Sequence, residues 1–168
     1  MLSEKFSLAN SKAFVGQELG VSGWITLNQQ RIDQFAECTE DHQWIHVDIE
    51  RAKRDSPLRT TIAHGYLTLA MLAPSTFEIV VKPAGISQAL NYGLDRVRFI
   101  APVKAGSRIR NRIKLLTAED KGEGRMLLTT ENTIEIEGEA RPALIAHALV
   151  MAIDGCARHT GCKGGKPR

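Results

Sequence analysis

Asp41 and His46 stand five residues apart in the polar stretch Thr39-Glu40-Asp41-His42-Gln43-Trp44-Ile45-His46, and Ala63-His64-Gly65-Tyr66 follows further along. A carboxylate and a neutral imidazole that hold one water between them can take a proton from it and deliver a proton to carbon. A backbone N–H at the start of a helix can stabilise an oxygen as negative charge builds on it. Together these are the requirements for adding water to a double bond conjugated with an acyl thioester. Gly65, at the start of the apolar segment after His64, leaves room for a ligand to approach such an N–H. Gln43 offers an amide that can orient water or substrate. By spacing alone the plainer reading competes: Asp41 caps a helix, His46 is a hydrogen-bonded loop residue and His64-Gly65 is a structural cap.

The elements that must hold these residues are legible in part. Thr26-Leu27-Asn28-Gln29 matches a capping box with Thr26 as N-cap. Behind it Ile32, Phe35, Ala36 and Thr39 recur at helical spacing, so a short amphipathic helix is expected to about Glu40. A second small helix is expected over 49–53, broken by Ser56-Pro57 because the residue before proline is driven out of the helical region. From His64 to about Val80 the chain is apolar nearly all round: Tyr66, Leu67, Leu69, Met71, Leu72, Phe77 and Ile79 leave almost no polar face. A helix of that kind must be buried nearly all round. In a chain this short, a sheet wrapped around the helix is the simplest way to bury it.

The second half supplies that sheet. Arg108, Arg110, Arg112 and Lys114 alternate with Ile109, Asn111, Ile113 and Leu115, the period of a strand with one wet face. After a polar turn around Asp120–Gly124, alternation resumes with Glu131, Thr133, Glu135 and Glu137 on the wet side. The run 143–153 is too continuously apolar for a strand with one wet face and is expected to lie inside the sheet. Segments 17–25 and 89–99 complete about five strands, which makes an α+β domain. The basic stripe is expected to pair across strands with Glu131, Glu135 and Glu137. Its alternative use is to grip the phosphates of a ligand.

Composition excludes several classes. The chain has 168 residues, 43% hydrophobic and 24% charged, which suits one soluble domain. Residues 1–160 are expected to form it, with 161–168 a basic, Gly-rich tail. A net charge of +3 is too small for a nucleic-acid footprint. Cys38, Cys156 and Cys162 form no CxxC pair and are odd in number, which suits reduced thiols. No His/Cys/Asp cluster has metal-ligand spacing, so neither metal nor cofactor is expected. With no apolar leader and no stretch of about 18 apolar residues, a cytoplasmic protein that does not enter the membrane is expected. His42 is expected to be exposed beside the site, His147 to be a hydrogen-bonded core or interface residue, and His159 to have no role.

The stretch around Asp41 and His46 resembles the hydratase-2 motif of MaoC-like proteins, usually Gly-Asp-x-Asn-Pro-hydrophobic-His with a later hydrophobic-x-His-Gly. The later element is similar to Ile62-Ala63-His64-Gly65. Asn91-Tyr92-Gly93 with Arg96-Val97-Arg98-Phe99, Pro102-Val103 and Gly106 resembles the next strand and turn of that family. The likeness runs from about Val21 to Val150. It implies a hot-dog fold, a long helix wrapped by a curved antiparallel sheet, and an (R)-specific enoyl-CoA hydratase forming (R)-3-hydroxyacyl thioesters. Asp41 and His46 become the catalytic pair, Gly65, His64 and Gln43 the oxyanion and substrate contacts, and a homodimer the expected assembly. The substrate would be a thioester of coenzyme A or of an acyl carrier protein. Glu40 replaces the usual Gly, and Gln43-Trp44 the usual Asn-Pro, as in the subgroup of nodulation protein N homologues; acyl preference therefore does not carry over. Leu69-Ala70-Met71 stands where relatives often place a supporting Ser. Two other readings stay open: a hot-dog acyl-CoA thioesterase, and an acyl-binding module that has lost the chemistry.

Overall fold

The computed structural model describes residues 5–154. The expected tail, Cys156, Cys162 and His159 lie outside the described residues. After a 3₁₀ turn at Ser11–Phe14 come β1 (Glu18–Val21) and β2 (Ile25–Thr26). Three helices follow: α1 (Gln29–Thr39), α2 (Trp44–Val47) and α3 (Ile49–Asp55). Then α4 (Gly65–Ala70), α5 (Leu72–Thr76) and a π-helical turn (Phe77–Val81) run in succession. The remaining strands are β3 (Gln88–Phe99), β4 (Arg108–Gly122), β5 (Arg125–Ile136) and β6 (Leu144–Ile153). All strand pairs are antiparallel, in the order β1-β4-β5-β6-β3, with β2 also on β4. This is the α+β hot-dog arrangement: one sheet laid against a central helical segment.

The core lies between sheet and helices. Leu27, Ile32, Leu67 and Leu72 pack with Ile109, Ile134, Leu144 and Ala146 from the sheet. A second cluster joins Val80 and Val81 to Ile113, Leu115 and Leu128. Asn111, on the apolar side of β4, is tied inside the core through its amide nitrogen: Nδ2 donates to Ser75 Oγ (2.8 Å) and to Asn132 Oδ1 (2.9 Å). That contact pins α5 to the middle of the sheet, since a buried amide without partners is costly. The β4–β5 connection places Glu123 (φ 53°) and Gly124 (φ 69°) in succession in the left-handed region. Such turns match the twist of the flanking strands.

Three expectations are corrected. The N-cap of α1 is Asn28, whose Oδ1 accepts from the Arg31 N–H at 3.0 Å, while Thr26 closes β2. Asn is as good a cap as any, and Gln29 is drawn inward by other partners, so the box does not form. The helix expected over 64–80 is broken at Met71 and again after Thr76. Pro74 has no N–H to give the Ala70 carbonyl and its ring crowds that carbonyl, which breaks the ladder there. Beyond Thr76 the ladder widens, with the Lys82 N–H donating to the Phe77 carbonyl at 2.9 Å. Nor is this segment covered all round by its own chain: Tyr66 is 71% and Phe77 58% exposed. The sheet covers one side only.

The basic stripe pairs much as expected, with one change of partner. Arg108 meets Glu137 at 2.8 Å, Arg110 meets Glu135 at 2.6 Å, and Arg112 meets both Glu135 (3.0 Å) and Glu18 (2.6 Å). Glu131 meets His147 (3.3 Å) on β6 instead, one of the two residues, with Lys114 on β4, that the register sets opposite it. Arg110 also stacks over Trp24 at 4.5 Å. The half-exposed pairs contribute about 0–1 kcal/mol each.

Candidate active site

The end of α1 sets the site's first group. Thr39 Oγ1 donates to the Phe35 carbonyl at 2.7 Å, and Glu40 takes a left-handed conformation (φ 61°), turning the chain off the helix axis. Asp41 follows with a side chain 48% exposed. Gln43 occupies the N-cap position of α2 without a side-chain cap bond and is itself exposed. The single turn of α2 carries His46 inward, to 7% exposure.

His46 is held at two points. Its Nδ1 lies 2.7 Å from the Ile62 carbonyl. A carbonyl only accepts, so Nδ1 carries the hydrogen and Nε2 is left with its lone pair free. The His46 carbonyl accepts from Gln29 Nε2 at 2.7 Å, and the same side chain reaches Asp33 and accepts from the buried Thr61 hydroxyl. Gln29 therefore stitches α1, α2 and the strand-like segment before α4 together. Burial lowers the His46 pKa below its ordinary value, partly opposed by the bond to Ile62. The ring is therefore neutral at neutral pH.

Asp41, His46 and His64 converge: each offers a ligand-type atom, all within 4.8 Å of one another. The two imidazoles stack at 3.8 Å between centroids and 25° between planes. Spacing along the chain gave no sign of this grouping, because His64 reaches the pair only through the fold.

Gly65 opens onto a cavity of about 310 Å³ together with His46, Ile62, Thr68, Phe99 and Val103. A Cβ at Gly65 would meet the Phe99 ring at 3.1 Å, so a side chain there would press on the cavity wall. Because α4 has six residues its dipole is slight; what it offers is free first-turn N–H groups beside the cavity. A second, mainly apolar cavity of about 280 Å³ lies on the other side of α4, lined by Tyr66, Leu69, Leu94 and Leu149 among others. The His64 ring is 2% exposed and stands behind the pair rather than on the cavity wall.

The structure thus gathers Asp41, His46, His64 and Gly65 and leaves Gln43 at the rim. His42 is exposed, 3.7 Å from Glu37. Sequence reasoning missed Gln29, Thr61 and the Ile62 carbonyl, which aim His46, and Phe35, which flanks His64 at 5.0 Å. Only Gln29 left a signal, and it reads as a cap. Among the described residues no helix is long and apolar enough to cross a membrane.

The MaoC like domain matches residues 10–137. Nodulation protein N of Rhizobium leguminosarum bv. viciae is 50% identical over 147 residues, covering 88% of this chain and 91% of that protein. The 3-hydroxyacyl-thioester dehydratase Z of Mycobacterium tuberculosis (strain ATCC 25618 / H37Rv) is 46% identical over 147 residues, covering 88% and 96%. Among solved structures, unliganded R-hydratase PhaJ1 from Pseudomonas aeruginosa superposes with a TM-score of 0.69 at 21% identity, covering 89% of this chain and 87% of that one. That last likeness is one of fold.

Proposed function

From its membership of the MaoC-like dehydratase family, to which this chain belongs, we propose that it is an (R)-specific enoyl-thioester hydratase, a hydro-lyase that reversibly adds water to trans-2-enoyl thioesters. The observation that carries this reading is the gathering of the Asp41 carboxylate and the His46 imidazole within 4.8 Å, with His46 on the wall of the Gly65 cavity. Two acceptors facing one water take both its hydrogens and leave an oxygen lone pair pointing outward at the substrate. As the C–O bond forms at the β-carbon, one O–H bond breaks toward the pair and the double-bond electrons move toward the thioester oxygen. The N–H at Gly65 steadies that oxygen, and the proton held by the pair is then delivered to the α-carbon. Dehydration is the same path reversed. The 3-hydroxyacyl-thioester dehydratase named among the relatives supports this chemistry.

A thioesterase would need the water aimed at the carbonyl carbon, and an acyl-binding module would need no water at all. Purified protein incubated with crotonyl-CoA separates the three. Loss of the conjugated enoyl absorbance without free thiol is the expected result; thiol release points to hydrolysis, and no change on short or medium enoyl-CoAs points to a binding module. The carrier is coenzyme A or an acyl carrier protein, and the working assembly is a homodimer built on β3.

The outward stripe has no part in this scheme, since its arginines are engaged by glutamates. Replacing Arg108, Arg110 and Arg112 together with Gln is expected to leave KM for the thioester within about twofold. A tenfold rise, about 1.4 kcal/mol of lost binding, would place the ligand's phosphates on this face.

A further inference from the structure

His64 is the one buried titratable group among the described residues that the proposed reaction does not use. Its Nε2 lies 3.0 Å from the Asp41 backbone carbonyl and 4.0 Å from the Asp41 carboxylate. One face of the ring lies on His46 and Phe35 flanks it, with centroids 3.8 and 5.0 Å away. Its Nδ1 is buried and has no hydrogen-bond partner among the described residues.

These contacts determine which nitrogen donates. The Asp41 carbonyl only accepts, so Nε2 carries a hydrogen and donates it. The nitrogen that donates is therefore set by the position of the Asp41 carbonyl. An unsatisfied buried nitrogen calls for a reason, because a phenyl ring would fill the same space without one. What an imidazole provides here and a phenyl cannot is the N–H to the Asp41 carbonyl.

We propose that His64 is a positioning residue for the Asp41–His46 pair: its Nε2–H anchors the Asp41 main chain while its ring face backs His46, fixing the separation of the two proton-handling groups. It exchanges no proton with substrate and does not line the substrate cavity. The neighbouring geometry explains why such a tie is needed. Asp41 follows a left-handed Glu40 in a loop and its side chain is half exposed, so its place is not fixed by packing. His46, by contrast, is already held by Ile62. The inference rests on the hydratase reading for its kinetic consequence, but not for which nitrogen of His64 donates.

Two measurements test it. Imidazole ¹⁵N NMR on the wild-type chain at pH 7 is expected to show a hydrogen on Nε2 of His64 and on Nδ1 of His46. A His64 whose Nε2 carries no hydrogen overturns the proposal, whatever the activity. In the crotonyl-CoA assay, His64→Phe keeps the stacked ring and loses the N–H. It is expected to lower kcat about 10- to 100-fold, the size typical of lost outer supporting bonds, with KM within twofold. His64→Gln returns a donor of similar reach and is expected to recover at least threefold of that loss. Wild-type kcat in His64→Phe, or a change confined to KM, also overturns it. If either variant fails to fold, the NMR measurement decides alone. An inactive wild-type chain would count against the hydratase reading and leave that measurement standing.

Discussion

Asp41→Asn and His46→Gln are each expected to lower kcat for crotonyl-CoA hydration by roughly 10²–10⁴-fold, the usual contribution of a general acid–base group. Both replacements keep side-chain size and hydrogen-bonding atoms, so losses on this scale report proton transfer or water activation. In His46→Gln the free imidazole lone pair is gone. In Asp41→Asn one acceptor becomes a donor, and a water facing it can no longer give up both hydrogens. Because one water is shared, the double variant should fall far short of the product of the single losses. His42→Gln is the internal control, since His42 is exposed and faces Glu37. A crippled His42→Gln with an active His46→Gln would reassign the base. The pH profile has its origin in the same geometry. His46 works as a neutral ring, and burial lowers its pKa from 6.5, so its acid limb in kcat/KM should lie below pH 6.5. Stability has the same sign: a group whose folded pKa is depressed contributes fully above 6.5, and that contribution is lost as pH falls through the folded value.

A carboxylate and an imidazole in a polar stretch suit a helix cap and a hydrogen-bonded loop equally, so it is the family resemblance that singles out Asp41 and His46 as the candidate pair. Their aiming was not legible. His46 takes its orientation from the Ile62 carbonyl, and a backbone acceptor leaves no mark on residue type. Gln29 sits where a capping box would place it, and only the fold reveals that its amide spans Asp33, Thr61 and the His46 carbonyl. The sheet was readable from the period of two in β4 and β5, including the glutamate partners of the arginines, although Glu131 meets His147 instead. The central helix misled because its apolar composition speaks of burial without saying by what. Pro74 was visible in the sequence, yet its effect depends on whether neighbouring packing tolerates a kink, and here the ladder breaks at Met71.

Substituting both Leu90 and Leu94 with Asp is expected to convert the chain from a dimer to an 18.5 kDa monomer at micromolar concentration. Both leucines lie on β3, the terminal strand of the sheet, twelve residues long and paired along one side to β6. An uncovered edge of that length is a template for pairing with another chain. Its apolar side chains are left in the open: Leu90 is 55%, Tyr92 63%, Leu94 46% and Phe99 52% exposed. Tyr66 and Phe77 add to the exposed apolar surface from the helical segment, and Tyr66 reaches Phe99 at 6.1 Å. A contiguous apolar surface built on a free edge marks an interface, and a second copy meeting it about a two-fold axis satisfies both edges at once. Each buried leucine contributes about 1.5 kcal/mol or more. Two substitutions in each of two copies then remove about 6 kcal/mol, roughly 10⁴-fold in Kd. Phe99 also walls the cavity against Gly65, so the monomeric variant should lose hydratase activity along with its partner. Sedimentation equilibrium read beside the crotonyl-CoA assay checks both parts. A wild-type chain that sediments as a monomer, or an Asp variant that remains dimeric, would place the interface elsewhere.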